Sequence, residues 1–135
     1  MVKRVLPDTN IWSYWLRGQD FLLQSRMERA FDSLLLSSVV YSELCYGATK
    51  SSNPMHLRKI HSLGEMIPIV DYLKADAFIY GEVRSDLEGR GEIIGPYDLQ
   101  IASQALRLSA LLVTHNQNEF ARVSGLRTED WVSVI

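Results

Sequence analysis

The sequence has little cysteine, and it has no long run of apolar residues. Cys45 is the single cysteine, which excludes an internal disulfide and is typical of proteins in a reducing cytoplasm. No apolar stretch approaches the roughly 18 to 20 residues that a membrane-spanning helix needs. Pro7 and Asp8 interrupt the apolar start too early for a secretory signal. We therefore expect a cytoplasmic protein that does not enter a membrane.

The motifs of several enzyme classes are also missing. His56, His61 and His115 match no zinc-ligand spacing. No glycine-rich phosphate-binding loop follows the first predicted strand. Ser37 and Ser38 have no evident histidine partner, so a serine nucleophile is not indicated.

An excess of basic charge, which is common in nucleic-acid-binding proteins, is absent as well. The net charge is -2, from 14 Lys and Arg against 16 Asp and Glu. Basic side chains can still collect on one face, and an acidic metal site would itself lower the total. The length of 135 residues is that of one ordinary domain, which we predict to span 1–135.

Short apolar runs alternate with longer amphipathic segments along the whole chain. Strands are predicted at 2–6, 34–36, 67–70, 111–114 and, as a possible last strand, 131–135. Helices are predicted at 10–16, 21–33, 39–48, 53–63, 74–87, 97–108 and 118–123. This alternation predicts a three-layer α/β/α fold with four or five parallel strands. Pro68 favours an edge position for the third strand.

Side chains with oxygen ligands recur where these strands end. Asp8 directly follows the first strand, Glu43 lies one turn into the helix after the second, and Asp98 lies in the first turn of a later helix. Asn116 follows the fourth strand, with Glu119 three residues further on. In an open parallel sheet the carboxyl ends of the strands meet at the ligand-binding edge, so these groups are expected to converge.

Most of these residues also have a simpler structural explanation. Asp8 or Thr9 could cap the helix that begins near Asn10, and Asn116 could cap the short helix after it. Asp98 could stabilise a helix through the positive end of its dipole. Taken singly, these explanations are good ones.

Glu43 is harder to explain as an ordinary surface residue. It lies three residues after Val40 and one before Leu44, at the border of an apolar helix face. A carboxylate turned inward must be paired, protonated or bound to a metal. Converging carboxylates would repel one another unless a cation were present. Oxygen ligands without a Cys or His cluster suit Mg²⁺ or Mn²⁺, and such a site indicates phosphodiester hydrolysis.

Four segments, in order, resemble one known family. They are Asp8-Thr9-Asn10-Ile11, the segment 37–48 that contains Glu43, Ile94-Gly95-Pro96-Tyr97-Asp98, and the tail 112–131. Together they resemble the PIN-domain ribonucleases, specifically the VapC-type toxins of type II toxin–antitoxin systems. The resemblance covers nearly the whole chain.

The resemblance implies a Mg²⁺- or Mn²⁺-dependent endoribonuclease. Asp8, Glu43 and Asp98 match the family's metal-binding acids. The fourth position is variable in the family and often Asp; here it is Asn116 or Glu119, which leaves the number of metal ions open. Thr9 and Asn10 would orient ligands and water. Independently of the resemblance, Ser37 and Ser38 suit lining the pocket or capping the helix that carries Glu43.

The resemblance also implies partners. It implies a homodimer, a tRNA substrate (with the anticodon loop of initiator tRNA as the best guess) and a cognate VapB-type antitoxin. The antitoxin's tail would lie in a groove near the active site, with aromatic walls formed by Trp12, Trp15, Tyr41 and Tyr46. Leu16 and Leu44 are further candidates, although Leu44 suits the core equally well.

The sequence leaves alternatives open both for the residues that would contact the RNA backbone and for the function. Arg84, Arg90 and Lys50 suit either a bound RNA backbone or a solvated surface. The alternatives to a toxin are a catalytically silent PIN module that binds RNA or protein, and a housekeeping RNA-processing nuclease. Retention of three acids argues against the first, and the small size of the chain argues against the second.

Overall fold

Five short strands alternate with seven α-helices in the computed structural model, which describes residues 4–133. The strands are β1 (Val5–Pro7), β2 (Leu36–Ser37), β3 (Ile69–Val70), β4 (Leu111–Val113) and β5 (Thr128–Glu129). The helices are α1 (Thr9–Arg17), α2 (Phe21–Arg29), α3 (Ser38–Lys50), α4 (Pro54–Met66), α5 (Lys74–Gly89), α6 (Pro96–Leu108) and α7 (Gln117–Phe120). A 3₁₀ turn at Phe31–Ser33 follows α2.

All strand pairings in this part of the chain are parallel. β1 pairs with β4, β4 pairs with β5, and β2 pairs with β3. A single bridge between Val5 and Leu34 joins the two groups, with the Leu35 N–H donating to the Val5 carbonyl at 2.8 Å. The strands therefore lie in the order β3-β2-β1-β4-β5, and the predicted α/β/α fold with four or five parallel strands is confirmed.

The central strands β1 and β4 are buried along their whole length, because helices cover both faces of the sheet. Helices α3 and α4 pack on each other, as do α5 and α6. Between the last two, the buried Asp76 accepts hydrogen bonds from Arg107 and from the Leu73 backbone N–H. No helix within residues 4–133 is long and apolar enough to cross a membrane.

The first four helices begin at side chains that cap them. Asp8, Asp20, Ser37 and Asn53 each accept a hydrogen bond from a backbone N–H in the first turn of α1, α2, α3 and α4 respectively. Such caps are typically worth about 0.5–2 kcal/mol each. Since two of these caps directly follow or end a strand, they fix where the chain turns at the carboxyl edge of the sheet.

Several predicted boundaries were wrong, and two elements differ most from the structure. The helix expected over 21–33 ends at Arg29, and the last strand is Thr128–Glu129 rather than 131–135. Trp131 is buried but does not belong to a strand. Its apolar side chain therefore packs in the core and does not mark a strand pairing. The predicted residues 2–3 and 134–135 lie outside the described part of the chain. The edge position of β3 is confirmed, since in the described sheet it pairs with β2 alone.

Candidate functional site

Asp8 lies at the centre of the carboxyl edge, directly after β1. One carboxylate oxygen accepts from the Ile11 N–H at 3.1 Å and caps α1, and the other accepts from the Thr114 hydroxyl at 2.6 Å. The residue is only 7% exposed. Burial raises the pKa of Asp8 above its usual value, against the lowering effect of these hydrogen bonds, and the charge of Glu43 raises it further. Asp8 is therefore a helix cap and also a buried acid, whose ionised form is disfavoured by burial and by the negative charge of Glu43.

Thr114 was missed by the sequence analysis. It directly follows β4 and is fully buried. Pairing of Pro7 with Val113 places Asp8 and Thr114 side by side at the ends of adjacent strands. Besides donating to Asp8, its hydroxyl accepts from the Asn116 N–H at 2.9 Å. Its position after a buried strand, at the same edge as Asp8, was the available signal.

Glu43 reaches the same edge from α3. The side chain is half-buried, and one of its oxygens accepts from the Thr9 hydroxyl at 2.9 Å. Ser37 fixes the start of this helix, because its hydroxyl caps the first turn and also donates to Gln104 on α6. The hydrogen bond from Thr9 thus orients the Glu43 carboxylate, which is the role expected of a residue that positions a metal ligand.

Asp98 and Glu119 form an acidic pair beside these two. Asp98 lies in the first turn of α6 and is half-buried. Its pKa is raised to about 7, first by burial, then by the hydrogen bond and charge of Glu119, and then by the charges of Asp8 and Glu43. Near neutral pH, Asp98 is therefore partly protonated.

Asn116 supports Glu119 rather than capping a helix. Its amide N–H donates to Glu119 Oε2 at 2.9 Å, and it makes no side-chain cap at the start of α7. The simpler explanation of Asn116 as a cap is thereby overturned. Of the two candidates for the fourth position, Glu119 is the one that interacts with Asp98.

The other two supporting residues are placed less centrally. Asn10 is exposed, and its backbone N–H bonds to the Asp8 carboxylate. Ser38 is half-buried at the first position of α3, and its carbonyl accepts from the Ser42 hydroxyl at 3.0 Å. The hydroxyl that caps this helix belongs to Ser37.

The donor set has the chemistry of a hard-cation site. Within residues 4–133, none of the ion pairs involves Asp8, Glu43, Asp98 or Glu119, so no Lys or Arg neutralises them. All their ligand atoms are oxygens, which suits a divalent cation such as Mg²⁺. No three acidic, His or Cys side chains in this part of the chain stand close enough to form a complete metal site. The cluster is a set of repelling acids and not a closed coordination shell.

The four aromatic residues predicted for an antitoxin groove do not form one wall. Trp12 is fully buried and meets Trp15 edge-on, with ring centroids 5.6 Å apart. Tyr41 is half-buried against Gly64, whereas Tyr46 is 66% exposed. A side chain with no accessible surface cannot touch a partner, so the expectation for Trp12 is corrected: it is a core residue.

Two of the predicted RNA-backbone cations have partners within the chain. Arg84 pairs with Glu88 at 3.1 Å, and Arg90 pairs with Asp86 and Glu92, each at 2.8 Å. Lys50 lies over the Tyr46 ring, with its ammonium 5.8 Å from the centroid. These interactions favour the surface explanation for Arg84 and Arg90.

Known sequences similar to this chain are named as nucleases. The family model described as PIN domain matches residues 5–126. A tRNA(fMet)-specific endonuclease VapC of Shigella flexneri is 38% identical over 132 residues, which are 97% of this chain and 99% of the relative. A ribonuclease VapC2 of Haemophilus influenzae is 35% identical over 133 residues, 98% of this chain and 100% of the relative.

Solved structures agree with the sequence matches. The DNA-bound VapBC of Salmonella typhimurium superposes with a TM-score of 0.90 at 31% identity, covering 97% of this chain and 99% of that one. VapBC2 of Rickettsia felis bound to a promoter DNA fragment gives a TM-score of 0.85 at 34% identity, covering 94% and 98%. The chain therefore belongs to the PIN-domain family and, within it, to the VapC-type ribonucleases.

Proposed function

We propose that this protein is a metal-dependent endoribonuclease that acts as the toxin of a toxin–antitoxin pair. The observation that carries the proposal is that Asp8, Glu43, Asp98 and Glu119 interact at one edge of the sheet, with no cationic partner for any of them within residues 4–133. Folding that brings acids together without a cationic partner costs stability, so the arrangement requires a functional reason. A bound divalent cation would supply that reason by offsetting the repulsion.

Each acid has a place in the proposed reaction. Asp8, Glu43 and Asp98 would hold a divalent cation, Mg²⁺ or Mn²⁺, which when bound activates water and stabilises charge on the phosphodiester. Thr9 and Thr114 orient two of these acids by hydrogen bonds. Glu119, which interacts with Asp98 and accepts from the Asn116 amide, would take the proton that an attacking water loses.

A tRNA is the proposed substrate. Relatives from Shigella flexneri and Salmonella typhimurium, 38% and 33% identical, are named tRNA(fMet)-specific endonucleases. We extend this substrate to the present chain, with the anticodon loop of initiator tRNA as the site of cleavage. Bases in a single-stranded loop can be splayed apart, so an enzyme can reach the backbone between them.

The proposed protein partners are a second copy and an antitoxin. Three of the similar solved structures are VapBC complexes, and two of these three are bound to DNA. We propose that a VapB-type antitoxin binds this chain as well and covers the acidic edge, and that the chain itself forms a homodimer in the cytoplasm. Trp15, Tyr41 and Tyr46 remain the predicted aromatic contacts.

Cleavage of initiator tRNA by the purified chain tests the enzymatic proposal. We expect cleavage at one loop position with Mg²⁺ or Mn²⁺ and none in excess EDTA. Asp8→Asn and Asp98→Asn should each lower the rate by about a hundredfold or more, since each removes an acid from the site. Circular dichroism would establish that both variants are folded.

The matched control is Asp32→Asn, which changes an exposed acid in the 3₁₀ turn after α2 and should leave cleavage unchanged. Undiminished cleavage by both site variants, or by the wild type in EDTA, would contradict the metal mechanism. A silent module would bind RNA or antitoxin but leave the tRNA intact under every metal condition.

A further inference from the structure

A cavity of about 580 Å³ opens directly beside the acidic edge. It lies between α1, α3 and α4, and the Thr9–Glu43 hydrogen-bonded pair forms part of its lining. Since Glu43 belongs both to this lining and to the acidic cluster, a polymer bound at the acids would continue into the cavity.

Most of the cavity lining is apolar and includes Leu16 and Leu44, but two cations in it make no ion pair in the described part of the chain. These are Arg17 at the end of α1 and Lys59 in the middle of α4. The Arg17 guanidinium lies 5.0 Å from the centroid of the Tyr14 ring, which restrains it without using its charge. In contrast to Arg84 and Arg90, these two cations are thus available to an anionic ligand. His56, which also lines the cavity, is hydrogen-bonded to Ser51 at 2.9 Å.

Gly47 keeps the cavity open on its α3 side. It lines the cavity from within α3, where glycine is less favourable to a helix than alanine. No packing reason explains it, because a Cβ at this position would meet nothing within 4 Å. A side chain there would narrow the opening.

We propose that this cavity is a subsite for the sugar-phosphate backbone of single-stranded RNA next to the bond that is cut. Arg17 and Lys59 hold phosphates of the strand, and Gly47 leaves room for its passage past α3. The proposal rests on the proposed function, since it takes the acidic edge to be the place where RNA is cleaved. A phosphate subsite of this kind sets affinity and register but reads no bases.

Charge variants test the subsite by RNA binding. In the Asp98→Asn background, which is expected not to cut, a labelled single-stranded RNA of about 12 nucleotides would be titrated at several salt concentrations. Arg17→Gln and Lys59→Gln should each weaken binding about fivefold near 0.1 M salt and lower the slope of log K against log salt by about 0.7. Arg58→Gln, one residue from Lys59 on the same helix, is the matched control, because Arg58 does not line this cavity and should leave both unchanged.

Shape variants give a second, independent readout. Gly47→Leu should weaken RNA binding about tenfold and raise KM for tRNA cleavage with little change in kcat, because it fills the passage and leaves the acids in place. The control is Gly81→Leu on α5, another glycine inside a helix with no atom within 4 Å of an added Cβ, and it should change neither. Thermal unfolding would establish that both leucine variants are folded.

The outcomes separate the two proposals. If wild-type protein cuts tRNA but the Arg17, Lys59 and Gly47 variants bind and cut like their controls, the subsite is wrong and the enzyme proposal stands. If no metal supports cleavage while these variants still lose RNA affinity with the predicted salt slope, the subsite stands and the enzyme proposal is wrong. If Gly47→Leu abolishes antitoxin binding and leaves RNA binding intact, the cavity is a protein-binding site and the subsite is overturned.

Discussion

Asp8 and Thr114 show how a single pair of side chains joins folding to the site. The carboxylate of Asp8 uses one oxygen to start α1 and the other to accept from Thr114. Both residues sit at the ends of adjacent parallel strands, so the hydrogen bond depends on the register of β1 and β4. Removing it leaves a buried acid without its strongest local stabilisation, because charged groups need such partners in a buried setting.

We therefore expect Thr114→Val to destabilise the fold by about 1–3 kcal/mol, since it leaves a buried acceptor unsatisfied. Urea denaturation monitored by circular dichroism would measure the change. Thr114→Ser keeps the hydroxyl and should lose much less. Equal losses in the two variants would show that packing of the methyl group, and not the bond to Asp8, is what matters.

Asp98 makes the stability of the fold depend on pH. Its folded-state pKa of about 7 lies above the ordinary value of 3.8, so between these values the folded state binds more protons than the unfolded state. The contribution of this group to stability is therefore greatest at low pH and is lost as pH rises through about 7. Asp98→Asn removes this loss because an amide carries no charge.

Without metal, Asp98→Asn should thus raise Tm relative to wild type at about pH 8 and by less at about pH 5. Differential scanning calorimetry in EDTA would measure both. Adding Mg²⁺ at the higher pH should raise Tm of the wild type more than that of the variant, since the ligand binds the folded state through this acid. An equal Tm difference at the two pH values would contradict the assigned pKa.

At the scale of elements, α3 and α4 are packed through a glycine. A Cβ added at Gly64 would come within 2.7 Å of the Tyr41 hydroxyl oxygen and 2.9 Å of the ring. The Tyr41 ring therefore occupies the space that a side chain at position 64 of α4 would need. This close approach helps to set the position of α3, which carries Glu43.

Gly64→Ala should consequently destabilise the fold by about 1–3 kcal/mol, although alanine favours a helix. Gly81→Ala on α5, where an added Cβ meets no atom, should instead stabilise it by about 0.5–1 kcal/mol. Chemical denaturation of the two variants would measure the contrast. If both proved stabilising, the Tyr41 ring would be free to move aside.

The start of α3 is tied to the sheet by a second contact. Ser37 caps the helix and donates to the Gln104 amide oxygen, and the Gln104 amide N–H donates to the Val70 carbonyl at 3.1 Å. One polar link thus connects β2, β3 and α6 beneath the acidic edge. Both side chains are fully buried, which explains why a polar pair can be kept there.

At the scale of the whole molecule, the proposed toxin activity predicts an effect in cells. Expression of the chain should arrest growth, and co-expression of its cognate antitoxin should relieve the arrest. Asp98→Asn should be harmless, because it is expected to lack cleavage. Growth curves with matched protein levels by immunoblot would measure this, and arrest by the Asp98→Asn variant would argue that binding, not cutting, is toxic.

The sequence by itself determined the order of elements and predicted the type of site. Buried apolar strands, the Asp8 cap before α1 and Pro68 at the sheet edge are local signals that were interpreted correctly, whereas the expected cap at Asn116 and the last strand at 131–135 were not. Asp8, Glu43 and Asp98 stood out because their segments end strands or start helices. The extent of one domain over 1–135 stays a prediction.

Tertiary structure alone decided which side chains interact across the fold. Thr114 bonds to Asp8 across a separation of 106 residues, and Glu119 on α7 raises the pKa of Asp98 on α6. The burial of Trp12 and the unpaired state of Arg17 and Lys59 beside the acids also depend on packing between elements. The local sequence pattern indicates which helix or strand a segment can form. The residues that a side chain contacts are set by strand register and helix packing.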